Sequence, residues 1–117
     1  MHQRTAQSLL DIVDACNEID AILDGISLEE YRGTRVLQLS TERLFITIAE
    51  ALKRVDENDP DVASTVTDRR NIIGMRNRIV HGYDTIELET VWTAAVRHAP
   101  ILRQEVLAIL GSHPDEP

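Results

Sequence analysis

A chain of 117 residues is long enough for one domain with a substantial core and too short for two. Its 20 acidic residues against 12 basic ones leave a net charge of −8, which argues against a general nucleic-acid binder, since such binding depends on neutralising phosphate. Hydrophobic residues make up 43% but aromatics only 3%, so the expected core is Leu, Ile, Val and Ala, as in helices packed on helices. No apolar run reaches the length that spans a bilayer, and the first ten residues lack the basic-then-apolar layout of a signal peptide. The expectation is a cytoplasmic protein with no membrane partner. Cys16 is the single cysteine, which excludes an intrachain disulfide and reads as a small buried thiol.

In chain order, a first helix is predicted over about residues 4 to 24. Leu9, Ile12, Val13, Cys16, Ile19 and Leu23 recur there at three- and four-residue spacing, and Gly25 stands at the C-cap. Ser27-Leu-Glu-Glu30 is a capping-box pattern that starts a short helix ending near Gly33. A second long helix follows over residues 34 to 55, its stripe being Leu37, Thr41, Leu44, Ile48, Leu52 and Val55, widened by Phe45 and Ala49. Glu50 sits in mid-helix among apolar residues, where an arginine of the third helix is the expected partner.

Residues 56–60, Asp-Glu-Asn-Asp-Pro, read as a loop. Thr67 or Ser64 is placed to cap a third helix carrying Ile72, Ile73, Met75, Ile79 and Val80 and stopped by Gly82. Asp84-Thr-Ile-Glu87 repeats the capping pattern and opens a fourth helix, with Leu88, Val91, Trp92, Ala95, Val96, Ala99, Leu102, Val106 and Leu110 on its buried side. Pro100 inside that run removes a backbone donor and crowds the carbonyl four residues earlier, which predicts a kink near Val96. The sum is an all-α, up-and-down bundle of four main helices in one domain, residues 1–111, with residues 112–117 as a tail.

No His-Glu-x-x-His, Cys-x-x-Cys or Walker-type pattern is present, so no metal site and no cofactor are expected. Chemistry concentrates instead between Arg76 and Tyr83, which brings a guanidinium, an amide, an imidazole and a phenol into eight positions. Arg69, Arg70, Arg76 and Arg78 lie within ten residues that contain no acid. Histidine exchanges protons near neutral pH, and an arginine beside it offers a planar fork to phosphate. Together they suffice for RNA cleavage without a metal: imidazole assists attack of the ribose 2′-hydroxyl or protonates the leaving oxygen, and guanidinium stabilises the charge on phosphorus-bound oxygens. At about 100° per residue Arg76 and His81 lie roughly 140° apart on an uninterrupted helix. Either a terminating turn swings His81 round, or a second copy of the chain completes the site. By type and spacing alone, the same residues also read as basic groups meeting the negative end of a helix closed by Gly82. Arg69, Arg70 and Arg78 read as a solvated face with the option of lining an RNA cleft. His98 reads as a surface residue, and Trp92 as core or dimer interface.

The run Arg76-Asn-Arg-Ile-Val-His81 followed by Gly82-Tyr83 resembles the Arg-x4-His-x-Tyr signature of HEPN-domain proteins of the HepT branch. The likeness extends to Ile-Ile-Gly-Met-Arg-Asn leading in, to Val-Trp and Ala-Pro-Ile-Leu after it, and to Leu-Phe-Ile-Thr-Ile-Ala-Glu-Ala-Leu in the second long helix. It thus covers about residues 4 to 110. The resemblance implies a metal-independent endoribonuclease toxin acting as a homodimer, with Arg76 and His81 as catalytic pair and Asn77 as a supporting polar group. It further implies a cognate antitoxin, an MNT-type nucleotidyltransferase that adds AMP to Tyr83. A bulky anion there would repel RNA phosphate and occlude the arginine. The alternative is a non-catalytic HEPN module that binds such a nucleotidyltransferase or serves as its substrate.

Overall fold

The apolar stripe of the first segment is realised as α1, Gln3–Leu23, on which Leu9, Ile12, Val13, Cys16, Ile19 and Leu23 are all buried. A computed structural model describes residues 1–82 and 87–112 of the chain. After Gly25, which takes the left-handed φ of 73° that a side chain would strain, Ser27 caps α2, Leu28–Arg32. The capping box is complete: the Glu30 amide donates to Ser27 Oγ at 3.1 Å, and the Ser27 amide donates to Glu30 Oε1 at 3.2 Å. Then comes α3, Arg35–Asn58, burying Thr41, Phe45, Ile48, Ala49, Leu52 and Val55 as its periodicity requires. Leu37 and Leu44 are only partly covered.

The expected loop at residues 56–60 is a correction. α3 continues through Asn58, whose Nδ2 donates to the Arg54 carbonyl at 2.9 Å, and only Asp59 leaves helical geometry. The reason is Pro60, which disfavours helical dihedrals in the residue before it and is itself preorganised as the first residue of α4, Pro60–Ala63. Asp59 also accepts from the His2 amide and the Thr5 hydroxyl, pinning the start of α1 to this corner.

Neither Thr67 nor Ser64 caps the next helix, α5, Arg69–His81. Its N-cap is Asp68, with no side-chain cap bond. Thr67 gives both its donors to the Glu105 carboxylate instead, because a charged acceptor from another helix makes the stronger hydrogen bonds. Gly82 closes α5 with a left-handed φ of 59° and donates to the Arg78 carbonyl. The predicted cap at Asp84 lies outside the described residues. The fourth helix begins at Leu88, with Glu87 as N-cap and no side-chain cap bond: α6 is Leu88–Thr93.

The expected kink takes a definite form, a π-helical turn at Ala94–His98 that joins α6 to α7, Ala99–Ser112. The Ala99 amide bonds the Ala94 carbonyl, five residues back, one turn before Pro100. An extra residue in the turn relieves the missing donor and the steric crowding that proline brings. As a result Val96 faces solvent rather than the core, contrary to its place in the predicted stripe. α7 runs past Gly111 to Ser112.

α1 packs along α3 and α7, α5 packs on the far side of α3, and α2 bridges α3 and α6. Trp92 lies half-buried against fully buried Tyr31 of α2, ring centres 5.3 Å apart, which places it at the core's edge. The architecture is the expected all-α bundle, with no strand among the described residues. Among them, no helix is long and apolar enough to cross a membrane. Burial pushes the Cys16 thiol up to about 12, as for an inert packed side chain.

Candidate functional site

Two flanks of α5 carry the basic residues, separated by the stripe of Ile72, Met75 and Ile79 that faces the core. On the flank toward α3, the arginines are paired. Arg69 Nη1 meets Asp56 Oδ1 at 3.0 Å, and Arg76 Nη2 stands 4.0 Å from Glu50 Oε2. The expected partnership of Glu50 with an arginine of this helix is therefore present. Arg76 Nη1 also donates to Asn77 Oδ1 at 3.1 Å, while its Nε is buried without a hydrogen-bond partner among the described residues. The guanidinium is thus half-buried and held by Asn77, with an acid at the outer limit of an ion pair. A long, partly solvated pair of this kind is weak and leaves the fork available to a stronger anion.

His81 is the last residue of α5 and is exposed. The helix runs unbroken through it, so no terminating turn carries the imidazole round to the Arg76 face. Within one chain the two side chains leave the helix in directions about 140° apart. Tyr83, the residue matched to AMP addition, lies outside the described residues.

The other flank of α5 is different. Arg70 and Arg78 are exposed and make no ion pair or side-chain hydrogen bond among the described residues. They border a cleft of about 620 Å³ that opens between α5 and the α6–π segment, a volume in the range of small-ligand sites. Asn71 and Gly74 complete its α5 wall, and Thr90, Thr93 and Ala94 stand opposite. Asp68 and His98, with Nδ1 3.5 Å from Oδ2, border one end. Glu87 and Glu89 lie on the rim, the latter bound to Arg32 at 2.9 Å. Among the described residues no three His, Cys, Asp or Glu side chains gather into a group that could hold a metal.

Sequence reasoning located the basic helix but grouped its four arginines as one patch free of acids. Folding divides them, because the acids of α3 approach one flank only. It also missed Gly74 and the cleft. The available signal was Arg70, Gly74 and Arg78 at successive four-residue intervals, a pattern that puts a gap between two cations on one helix face.

Comparison with known proteins agrees with the family resemblance in the motif. The ribonuclease HepT-like family matches residues 12–109. A protein of Caldanaerobacter subterraneus subsp. tengcongensis named "Putative RNase TTE0752" is 27% identical over 99 residues, covering 85% of this chain and 88% of that protein. A second relative, "Putative RNase MJ1216" of Methanocaldococcus jannaschii, is 22% identical over 102 residues, covering 87% of this chain and 84% of that protein. No solved structure matches the chain. The chain belongs to the ribonuclease HepT-like family, and so to the RNases.

Proposed function

We propose that the protein is a metal-independent endoribonuclease toxin that works as a homodimer, its site composed of Arg76 from one copy and His81 from the other. The observation that carries this reading is the unbroken course of α5 through His81. Chemistry that needs both side chains on one phosphate has to draw them from two helices. In the reaction, the ribose 2′-hydroxyl attacks the adjacent phosphorus, and the bond to the 5′-oxygen of the next nucleotide breaks. The products are a 2′,3′-cyclic phosphate and a free 5′-hydroxyl. His81 accepts the 2′-hydroxyl proton or supplies one to the departing oxygen. Arg76, steadied by Asn77, turns its fork from Glu50 to the non-bridging oxygens, where negative charge grows in the transition state.

Regulation is read from the sequence order. Tyr83 follows His81 by two residues, and AMP attached to it would add bulk and an anion that competes with RNA phosphate for the arginine. The agent is an MNT-type nucleotidyltransferase, the antitoxin of the pair. Incubation with that partner and ATP is expected to add the mass of AMP to the wild type and not to Tyr83→Phe.

The decisive experiment is RNA cleavage in EDTA by wild type and His81→Ala, with far-UV circular dichroism on both. General acid–base catalysis contributes roughly 10²–10⁴-fold, so the folded variant should lose activity on that scale. Cleavage by His81→Ala at the wild-type rate would sink the reading. Absence of cleavage by both would favour the non-catalytic module that serves a nucleotidyltransferase.

A further inference from the structure

Gly74 occupies the middle of α5 in ordinary helical geometry, so its backbone does not require glycine. Packing does not require it either, because a Cβ built there meets no atom within 4 Å. Glycine nevertheless weakens an exposed helix relative to alanine. What the missing side chain leaves is open room in the cleft, midway between Arg70 and Arg78. The backbone positions of these two residues are about two turns, ~12 Å of helical rise, apart on one side of the helix, and neither guanidinium meets a carboxylate among the described residues.

We infer that this cleft is a binding subsite for single-stranded RNA, in which one splayed nucleotide lies over Gly74 and the phosphates on either side of it engage Arg70 and Arg78. The inference rests on the ribonuclease reading and adds the path of the strand. Ile72, Met75 and Ala94 supply apolar surface at the base of the cleft. The hydroxyls of Thr90 and Thr93 and the amide of Asn71 offer donors and acceptors to a base edge. The acids nearby do not cancel the two arginines: Glu89 is bound to Arg32, Asp68 faces His98, and Glu87 stands across the cleft, where a carboxylate accepts from a base amino group. An unstacked base entering a slot is how single strands are recognised, and a duplex presents none. His81 follows Arg78 by three residues, about 60° round the helix, so a strand lying along Arg70 and Arg78 runs toward the imidazole.

The test is fluorescence anisotropy of a short single-stranded RNA with the full chain carrying His81→Ala, which separates binding from cleavage. Gly74→Leu, whose Cβ has open space, extends a side chain into the cleft and should weaken binding on the order of tenfold. The double variant Arg70→Ala, Arg78→Ala alters exposed side chains only, and should lower the slope of log affinity against log salt by about 1.4, ~0.7 for each phosphate that is no longer neutralised. Both should melt at or above the parent temperature. Parent-like affinity and slope in both variants would overturn the inference, as would a parent that binds no RNA. Cleavage assays with the histidine restored tell the two readings apart. If wild type cleaves and the variants bind as tightly as the parent, the cleft is irrelevant and the nuclease stands. If wild type does not cleave and Gly74→Leu abolishes binding, the cleft stands without the nuclease.

Discussion

α1 and α5 are both amphipathic helices that lean on α3, yet they do opposite work. α1 buries nine residues, Thr5, Ser8, Leu9, Ile12, Val13, Ala15, Cys16, Ile19 and Leu23, whereas α5 buries Ile72 and Met75 alone. Burial of a Leu or Ile side chain contributes ~1.5–3 kcal/mol, so most of the stability lies along α1 and the α3 face that meets it. α5 is held by a narrow apolar stripe, with Ile73 and Ile79 partly buried against the core, and by two ion pairs, while Arg70, Asn71, Asn77, Arg78, Val80 and His81 are exposed. A helix with so little committed to the core is free to carry arginines, a mid-helix glycine and a histidine for other ends. The difference teaches that in this bundle the core and the side chains of the proposed site occupy separate helices, both packed on α3.

Substitutions on the two sides should break apart in the same way. The largest stability effect is expected from Ile48→Ala, which empties a fully buried site on α3 and should lower unfolding stability by ~2–5 kcal/mol. Val80→Ala, on the exposed edge of α5, should change it by less than ~0.5 kcal/mol in the same denaturant titration. Arg76→Ala should reverse the pattern. RNA cleavage is expected to fall roughly 10²–10³-fold, the loss typical of one charge-stabilising donor, while the melting curve barely moves. A melting loss as large as that of Ile48→Ala would show that α5 is a structural helix after all.

Alkaline pH should act on the core side. Burial raises the Cys16 thiol from its ordinary 9.0 to about 12 and the Tyr31 phenol, with Glu42 adding to the effect, from 10.0 to about 12. The folded chain then keeps protons that the unfolded chain gives up. This contribution is intact below pH 9 and is lost as pH rises from 9 toward 12, on the order of 1 kcal/mol per unit for each group. Melting temperatures measured across that window should fall, and Cys16→Ala should remove the part of the decline that begins at pH 9. A flat profile would contradict the packing of both groups. The smallest expected change is a gain: Gly74→Ala should stabilise by ~1 kcal/mol, raising the melting temperature by a few degrees. Destabilisation would mean that the glycine serves the fold and not the cleft.

Much of this was legible in the residues. The periodicity of Leu9 through Leu23, the Ser27–Glu30 box, the stop at Gly82 and the disturbance before Pro100 each depend on interactions within one or two turns, so local spacing was sufficient to read them. The basic helix and its Arg-x4-His run were equally plain, as was the family they point to. Other features depended on contacts between distant residues. Asp59 and Pro60 end α3 later than a loop-like composition suggested, and Thr67 prefers Glu105 of α7 to its own helix. Asp56 and Glu50 reach Arg69 and Arg76 but not Arg70 and Arg78, because α3 lies along one flank of α5 only. Caps, stripes and turns are short-range and written in consecutive residues; which guanidinium meets a carboxylate and which faces an open cleft depends on how packed helices are rotated against one another, and that only the tertiary structure decided.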